Sequence, residues 1–252
     1  LFTPEDTAYV VLTGKACTLY VDPEKVTGAA MKHLGGAVTI KEYGEVGRDL
    51  KALAKGAGKS RRKPTVWLDP AATNRWIQNQ VKGCPQHLEP SPIMAMKAVK
   101  NAKQIEGIKT AHVRDGVAMV KFLRWLEEAV PQGGVTEITA ADQLRAFRAE
   151  AKEYRDDSFA TISGYAANGS IIHYSATRAS AATLRPRGLY LIDSGGQYPD
   201  GTTDITRTVA LGKPQRHMKQ CFTRVLMGTI DCTLTTFPAG TKVSIVGDQS
   251  EE

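Results

Sequence analysis

The sequence is short of several things, and each shortage excludes a class of protein. Aromatic residues make up only 7% of the 252 residues, and no apolar run approaches the ~18 residues that a membrane-spanning helix needs. There are four cysteines, Cys17, Cys84, Cys221 and Cys232, and no two of them form a C-x-x-C pair. That is too sparse for a disulfide scaffold, and it favours a reducing compartment, most simply the cytoplasm. The run "GKSRRKP" (Gly58–Pro64) carries no aromatic, so despite a net charge of +7 it reads as a solvated turn rather than a nucleic-acid surface. Neither nucleic acid nor membrane is therefore an expected partner. What remains is 42% hydrophobic and 23% charged, the composition of a globular chain with room for two modest domains.

Strand and helix signals alternate in the first third. "TAYVVLTGKACTLYVD" (Thr7–Asp22) reads as two β-runs around Thr13-Gly14-Lys15. "PEKVTGAAMKHL" and "VGRDLKALAKG" read as helices, the second stopped by Gly56, with "AVTIKEY" as a strand between them. "TVWLD" is a further strand and "PAATNRWIQNQV" a further helix. This alternation predicts a small α/β layer domain. Pro85, Pro90 and Pro92 then punctuate the chain, and the expected domains are residues 1–90 and 91–252. The second domain opens with one long helix, about Lys97–Val130, with Ile105, Ile108, Met119, Leu123 and Leu126 on a common face. Thr139 and Asp142 suggest a capping box before a helix over Ala140–Tyr154. The chain is β-rich from Ser158, and a last helix covers Gln215–Thr235.

The chemistry-bearing stretch is "LYLIDSGGQYPDGTTDITRTVALG" (Leu189–Gly212). Two strands joined by a Gly- and Asp-rich connection would bring Asp193 beside Asp204, eleven residues later. Period-two alternation puts Thr202, Asp204, Thr206 and Thr208 on one face of the second strand, and Arg207 on the other. Facing carboxylates destabilise a sheet unless one is protonated, a base neutralises them or a cation binds. Arg207 alternates away, which leaves a hard, oxygen-preferring divalent metal, with Thr206 on the same face as Asp204 and placed to hydrogen-bond its carboxylate. On spacing alone, a solvated turn with loop-capping aspartates explains the pattern equally well. Counted from Asp193, Gly195 and Gln197 stand at positions three and five, where an EF-hand needs acids, and no Lys-Ser/Thr follows Gly195-Gly196, so neither an EF-hand nor a phosphate loop is present. A second stretch, "NGSIIHYS" (Asn168–Ser175), reads as a turn followed by a strand that points Ile171 and His173 to one side. A lone histidine on such a strand is more often a packed residue than a catalytic one. His33, His87, His112 and His217 lie in polar or charged contexts and carry no signal.

Four segments, "SPIMAMKAVKNAKQIEGIKTAH", "PQGGVTEITAAD", "SFATISGYAANGSIIHYS" and "LYLIDSGGQYPDGTTDITRTV", together resemble the Xaa-Pro aminopeptidases (aminopeptidase P), metallopeptidases of the pita-bread fold, and most of all the eukaryotic cytosolic type. The region before Pro90 resembles the creatinase-type domain that precedes their catalytic domain. The resemblance implies an α/β protein: a creatinase-type N-terminal domain, then the first half of an α+β pita-bread domain. It implies a dinuclear metal site, usually manganese, with zinc or cobalt as alternatives. Asp193 would match the ligand that chelates one metal, Asp204 the carboxylate that bridges both, and His173 the histidine near the scissile peptide. A hydroxide between the metals would attack the carbonyl of an X–Pro bond, so the implied substrate is a peptide with proline in second position. A homodimer of the complete enzyme fits the same resemblance.

The sequence also departs from that family. A complete site there uses two aspartates, one histidine and two glutamates, the last three from an H-G-x-G-H-type stretch and later strands. This chain reaches Glu252 before any of these, and His217 lies in "KPQRHMKQ", which matches no such motif. It opens at Leu1 and supplies two of the ligands. The expectation is a piece of a longer enzyme, lacking both ends, inactive alone, weak in metal binding and prone to self-association through uncovered apolar surface. The alternative is a non-catalytic pita-bread-like binding module.

Overall fold

A computed structural model describes residues 7–56, 63–238 and 240–241. Most of the basic run, Gly58–Arg62, and the segment Lys242–Glu252 lie outside the described residues. The chain divides into two compact units between Asn101 and Ala102. Pro90 and Pro92 fall inside the first of them.

In the first unit, β1 (Tyr9–Leu12) and β2 (Cys17–Val21) form an antiparallel hairpin, and β2 pairs in parallel with β3 (Val38–Glu42). Thr13 Oγ1 accepts from the amides of Lys15 and Ala16 and closes the hairpin turn at 3.3 and 3.0 Å. The crossover from β2 to β3 is less helical than its sequence suggests. Pro23–Lys25 forms a single 3-10 turn, and α1 (Gly28–Leu34) starts only after Thr27, whose hydroxyl accepts from the amide of Ala30. Helix α2 (Val46–Lys55) ends at Gly56, whose φ of 83° is the left-handed geometry favoured by glycine. Strand β4 (Val66–Leu68) is followed by α3 (Arg75–Gln80), capped by Asn74, and by β5 (Gln86–Leu88), which pairs in parallel with β4. Tyr20, Val46, Leu50, Leu68, Ile77 and Val81 form the core.

The long helix expected over Lys97–Val130 is present but starts later, and a separate short helix precedes it. Pro92 opens α4 (Pro92–Ala98), and Val99 leaves the helical region before α5 (Ala102–Gln132) begins. Gly133 and Gly134, both with φ near +84°, then turn the chain. Helix α6 (Glu137–Ala149) starts earlier than expected, because its cap is Thr136 and not Thr139. The two threonines bond reciprocally, each side-chain oxygen accepting from the other's amide at 2.8 and 3.2 Å.

Two small antiparallel sheets complete the second unit. One has the order β11-β8-β7, from β7 (Ile162–Tyr165), β8 (Leu189–Ser194) and β11 (Ile205–Ala210). The other has the order β10-β9-β6, from β6 (Asp156–Asp157), β9 (Gly196–Tyr198) and β10 (Gly201–Thr202). The core lies on one face of the first sheet. Tyr190 and Ile192 of β8 are fully buried against Phe122 and Leu126 of α5 and Leu144 of α6. Helix α7 (Arg216–Leu234) follows, and it has no buried residue within the chain. Among the described residues, no helix is long and apolar enough to cross a membrane.

Candidate metal centre

Strand β8 alternates: Tyr190, Ile192 and Ser194 are buried, and Leu191 and Asp193 are half-buried on the opposite face. Asp193 therefore projects from the face that α5 and α6 do not cover. In the register it stands between Ile162 of β7 and Thr206 of β11. Thr206 is thus the cross-strand neighbour of Asp193, whereas the sequence suggested it as a partner of Asp204.

The second acid arrives by a different route from the one alternation predicts. Thr202 belongs to β10 in the other sheet, where its hydroxyl donates to Gln197 Oε1 at 2.6 Å. Thr203 then turns inward, fully buried, and its Oγ1 accepts from the amide of Gly196 at 2.9 Å. Asp204 follows, outside any strand and exposed, immediately before β11. The chain passes between the sheets at Gly195 with no room to spare. A Cβ there would lie 1.9 Å from the carbonyl oxygen of Thr203 and 2.3 Å from Ser158 Oγ. Ser158 ties the crossing down, its amide donating to Gly195 O and its hydroxyl to Thr203 O at 3.0 and 2.8 Å.

His173 does not sit on a strand. Residues Ala166–Ser170 form a 3-10 helix, and His173 follows in a turn with φ of 55°, a left-handed conformation unusual for a residue other than glycine. Its exposed side chain nevertheless faces the same cavity as the acids. That cavity, of about 450 Å³, is lined by Phe159, Ile162, His173, Tyr174, Asp193 and Asp204, among others. The structure so brings together three of the four residues singled out in the sequence, and it places Thr206 opposite one of them.

The donor set suits a hard cation in part. Asp193 Oδ1 is buried and has no hydrogen-bond partner. An orphaned carboxylate oxygen costs about 1–3 kcal/mol unless something outside the protein satisfies it. It lines a cavity with a second carboxylate, and oxygen pairs of this kind bind divalent cations. Yet among the described residues no three His, Cys, Asp or Glu side chains converge to hold a metal. The arrangement is a two-carboxylate half-site.

Two buried networks behind this half-site escaped the sequence reading. The carboxylate of Glu137, fully buried, accepts from the amides of Tyr165 and Ala182 at 2.6 and 2.9 Å, from Tyr174 OH at 2.9 Å and from Asn168 Nδ2 at 3.0 Å. On the other side, Arg148 donates through Nε and Nη2 to the Asp115 carboxylate at 2.7 and 3.0 Å and through Nη2 to Ser194 Oγ at 3.1 Å. Tyr198 OH adds a bond to Asp115 at 2.8 Å, and burial beside that carboxylate drives the phenol's pKa well above its ordinary value. Both side chains of the ion pair are fully buried. The only signal for either network was a charged residue inside an otherwise apolar helical face.

Residues 106–252 match the model of metallopeptidase family M24, and residues 1–104 match that of the creatinase/prolidase N-terminal domain. Among curated proteins, the chain is similar to Aminopeptidase P1 of Arabidopsis thaliana, at 36% identity over 95% of this chain and 44% of that protein. It is also similar to Xaa-Pro aminopeptidase 1 of Dictyostelium discoideum, at 37% identity over 94% of this chain and 37% of that protein. The chain thus spans about two fifths of the length of the curated relatives it matches. Among solved structures, it is similar to the X-prolyl aminopeptidase of Caenorhabditis elegans, a cytosolic enzyme with a di-nuclear active site. There the TM-score is 0.90 and the identity 30%, over 99% of this chain and 41% of that one. The X-Pro aminopeptidase of Thermotoga maritima, at TM-score 0.72 and 20% identity over 96% of this chain and 64% of that one, shows the fold alone.

Proposed function

Because the chain belongs to metallopeptidase family M24, with a creatinase-type domain ahead of a pita-bread peptidase fold, we propose that it supplies half of the active site of a divalent-metal Xaa-Pro aminopeptidase. The observation that carries this reading is the orphaned oxygen of Asp193 in the cavity it shares with Asp204 and His173. Asp193 and Asp204 would hold the cations, with manganese the first choice and zinc or cobalt the alternatives. Bound there, divalent ions would supply Lewis acidity toward the carbonyl of the peptide bond that precedes proline.

The chain's own residues do the rest. Thr206, opposite Asp193 in the register, would orient that carboxylate once a cation is bound. His173 presents its imidazole to the substrate side of the cavity, where it hydrogen-bonds the peptide next to the bond that breaks. Phe159 and Ile162 line the same space with apolar surface. The remaining metal ligands come from polypeptide beyond this chain, so we propose that the 252-residue chain alone does not turn over. Its substrate in the longer enzyme is a peptide with proline in second position, its compartment the cytoplasm, and its assembly a homodimer.

The test is hydrolysis of an X–Pro peptide by the pure chain and by the longer enzyme, each with Mn²⁺. The longer enzyme is expected to release the N-terminal residue, and to lose that activity with Asp193→Asn or Asp204→Asn. Sustained Mn²⁺-dependent release by the chain alone, or full activity of either variant, overturns the proposal.

A further inference from the structure

We propose that Glu137 is a positioning residue whose carboxylate holds the segment 166–182 so that His173 faces the cavity shared by Asp193 and Asp204. The inference rests on the metal-site reading given above.

Glu137 is 0% exposed, and its partners are all neutral donors. Oε1 accepts from Tyr165 N at 2.6 Å and Asn168 Nδ2 at 3.0 Å, and Oε2 from Tyr174 OH and Ala182 N, both at 2.9 Å. Burying a carboxylate is expensive, and it is tolerated only when its lone pairs are satisfied. A neutral glutamine offers one acceptor oxygen and would turn its NH₂ toward another donor. The site therefore requires the carboxylate itself.

The four donors are not scattered. Tyr165 ends β7 where the segment begins, Asn168 sits in its 3-10 turn, and Ala182 lies where it returns toward β8. Tyr174 is the residue after His173, and it is buried while His173 and Ile172 are exposed. The left-handed backbone of His173 is unfavourable for a residue with a Cβ and needs its surroundings to impose it. The surroundings that do so are the Tyr174 N–H···O bond to Ile171 at 3.1 Å and the Tyr174 hydroxyl on Glu137. A loop that only had to close would need neither a buried anion nor a strained histidine beside its anchor.

The experiment uses the full chain, with wild type, Glu137→Gln and Tyr174→Phe compared by nuclear magnetic resonance. The ring protons of His173 are assigned with His173→Gln. Added Mn²⁺ broadens signals near it, with a steep dependence on distance. In wild type it is expected to broaden both the Thr206 methyl and the His173 ring. In Glu137→Gln the Thr206 methyl should stay broadened and the His173 ring should lose most of its broadening. Tyr174→Phe, which removes one hydroxyl and leaves the carboxylate, should lose part of it. A merely structural role for Glu137 would not separate the two signals, so equal broadening at His173 in all three proteins overturns the proposal.

Absence of broadening at Thr206 in wild type would refute the metal reading. The positioning proposal is then decided without metal, by amide exchange at His173 and Tyr174 with Phe122 and Leu126 as core controls. Faster exchange at the two loop amides in both variants, with the core unchanged, supports it. Unchanged exchange refutes it. If Glu137→Gln does not fold, Tyr174→Phe alone carries the comparison.

Discussion

Asp193→Asn is expected to stabilise the chain in the absence of metal and to abolish its response to metal. The unpartnered Oδ1 of Asp193 is buried and faces a cavity with the carboxylate of Asp204. A buried acceptor without a donor costs about 1–3 kcal/mol, and a second nearby anion adds to that cost. Asparagine keeps the shape, removes one charge and offers an NH₂ to its neighbour, so a gain of about 1 kcal/mol is expected without metal. For a unit of this size that gain raises the Tm by about 2–4 °C. In wild type, Mn²⁺ at about ten times its Kd adds about 1.4 kcal/mol through preferential binding to the folded state, or roughly 3–6 °C. The assay is thermal unfolding of both proteins with EDTA and then across a Mn²⁺ titration. The two curves should cross, with the variant higher in EDTA and the wild type gaining on it as metal is added. If Asp193 were only capping a loop, its replacement would cost stability in EDTA. That result, or an equal gain from Mn²⁺ in both proteins, refutes the reasoning.

Further expectations concern the scaffold. Asp115→Ala leaves the fully buried Arg148 without its counter-ion and should destabilise by about 3–5 kcal/mol, read from urea midpoints, whereas the paired change Asp115→Leu with Arg148→Met should cost far less. Gly195→Ala places a methyl 1.9 Å from a backbone oxygen and should cost about 3 kcal/mol, with loss of any Mn²⁺-induced shift because the crossing that carries both acids must move. Thr136→Ala removes one arm of the reciprocal cap on α6 and should cost about 1 kcal/mol in chemical denaturation. In acid, Asp200 and Asp49 are held below the usual carboxylate range, chiefly by bonds from Arg114 and Lys41. Their contribution is complete above the unfolded value of about 3.9 and is lost as pH falls through their lower folded values. Unfolding free energy measured from pH 6 to pH 2 should therefore fall most steeply below pH 4, and less steeply in Asp200→Asn. In alkali, burial and then the bond to Asp49 push the Tyr20 phenol up to about 12, so its contribution is complete below about pH 10 and lost as pH rises through 12; Tyr20→Phe should remove that loss.

Local pattern carried much of the fold. The hairpin at Thr13, the stop at Gly56 and the strand that becomes β8 were legible because neighbours in sequence are also neighbours in space. Asp193 was legible for the same reason. The later start of α5 was not, because no glycine or proline stands at residues 99–101, where the extended backbone of Val99 interrupts the helical run. The strand expected over Asn168–Ser175 failed for a longer-range reason. "SIIHYS" alternates as a strand would, but the segment is folded by acceptors on Glu137, 31 positions before Asn168 and 37 before Tyr174. Asp204 shows the same limit in miniature. Thr203 turns inward to meet Gly196, seven positions earlier, and shifts the alternation on which its placement had been argued.

The two hidden networks also explain why this face of the sheet can hold unpaired acids. Tyr190 and Ile192 spend their burial on the core, so Asp193 costs the packing nothing. Its position is set by the next residue instead, since Ser194 is gripped by Arg148, which Asp115 fixes with two bonds, and Asp115 in turn accepts from the Tyr198 hydroxyl. Glu137 fixes the histidine side of the cavity in the same manner, through four donors along the one stretch from Tyr165 to Ala182. Each network is charged, buried and saturated except for one atom, Nη1 of Arg148. Such groups are costly in a core and weak evidence of stability. What they add is rigidity of orientation, because a charged group buried among donors or acceptors has few alternative arrangements. On the proposed reading, two carboxylates meant to share a cation need that rigidity most, since a site works only when its supporting residues hold the ligands in place.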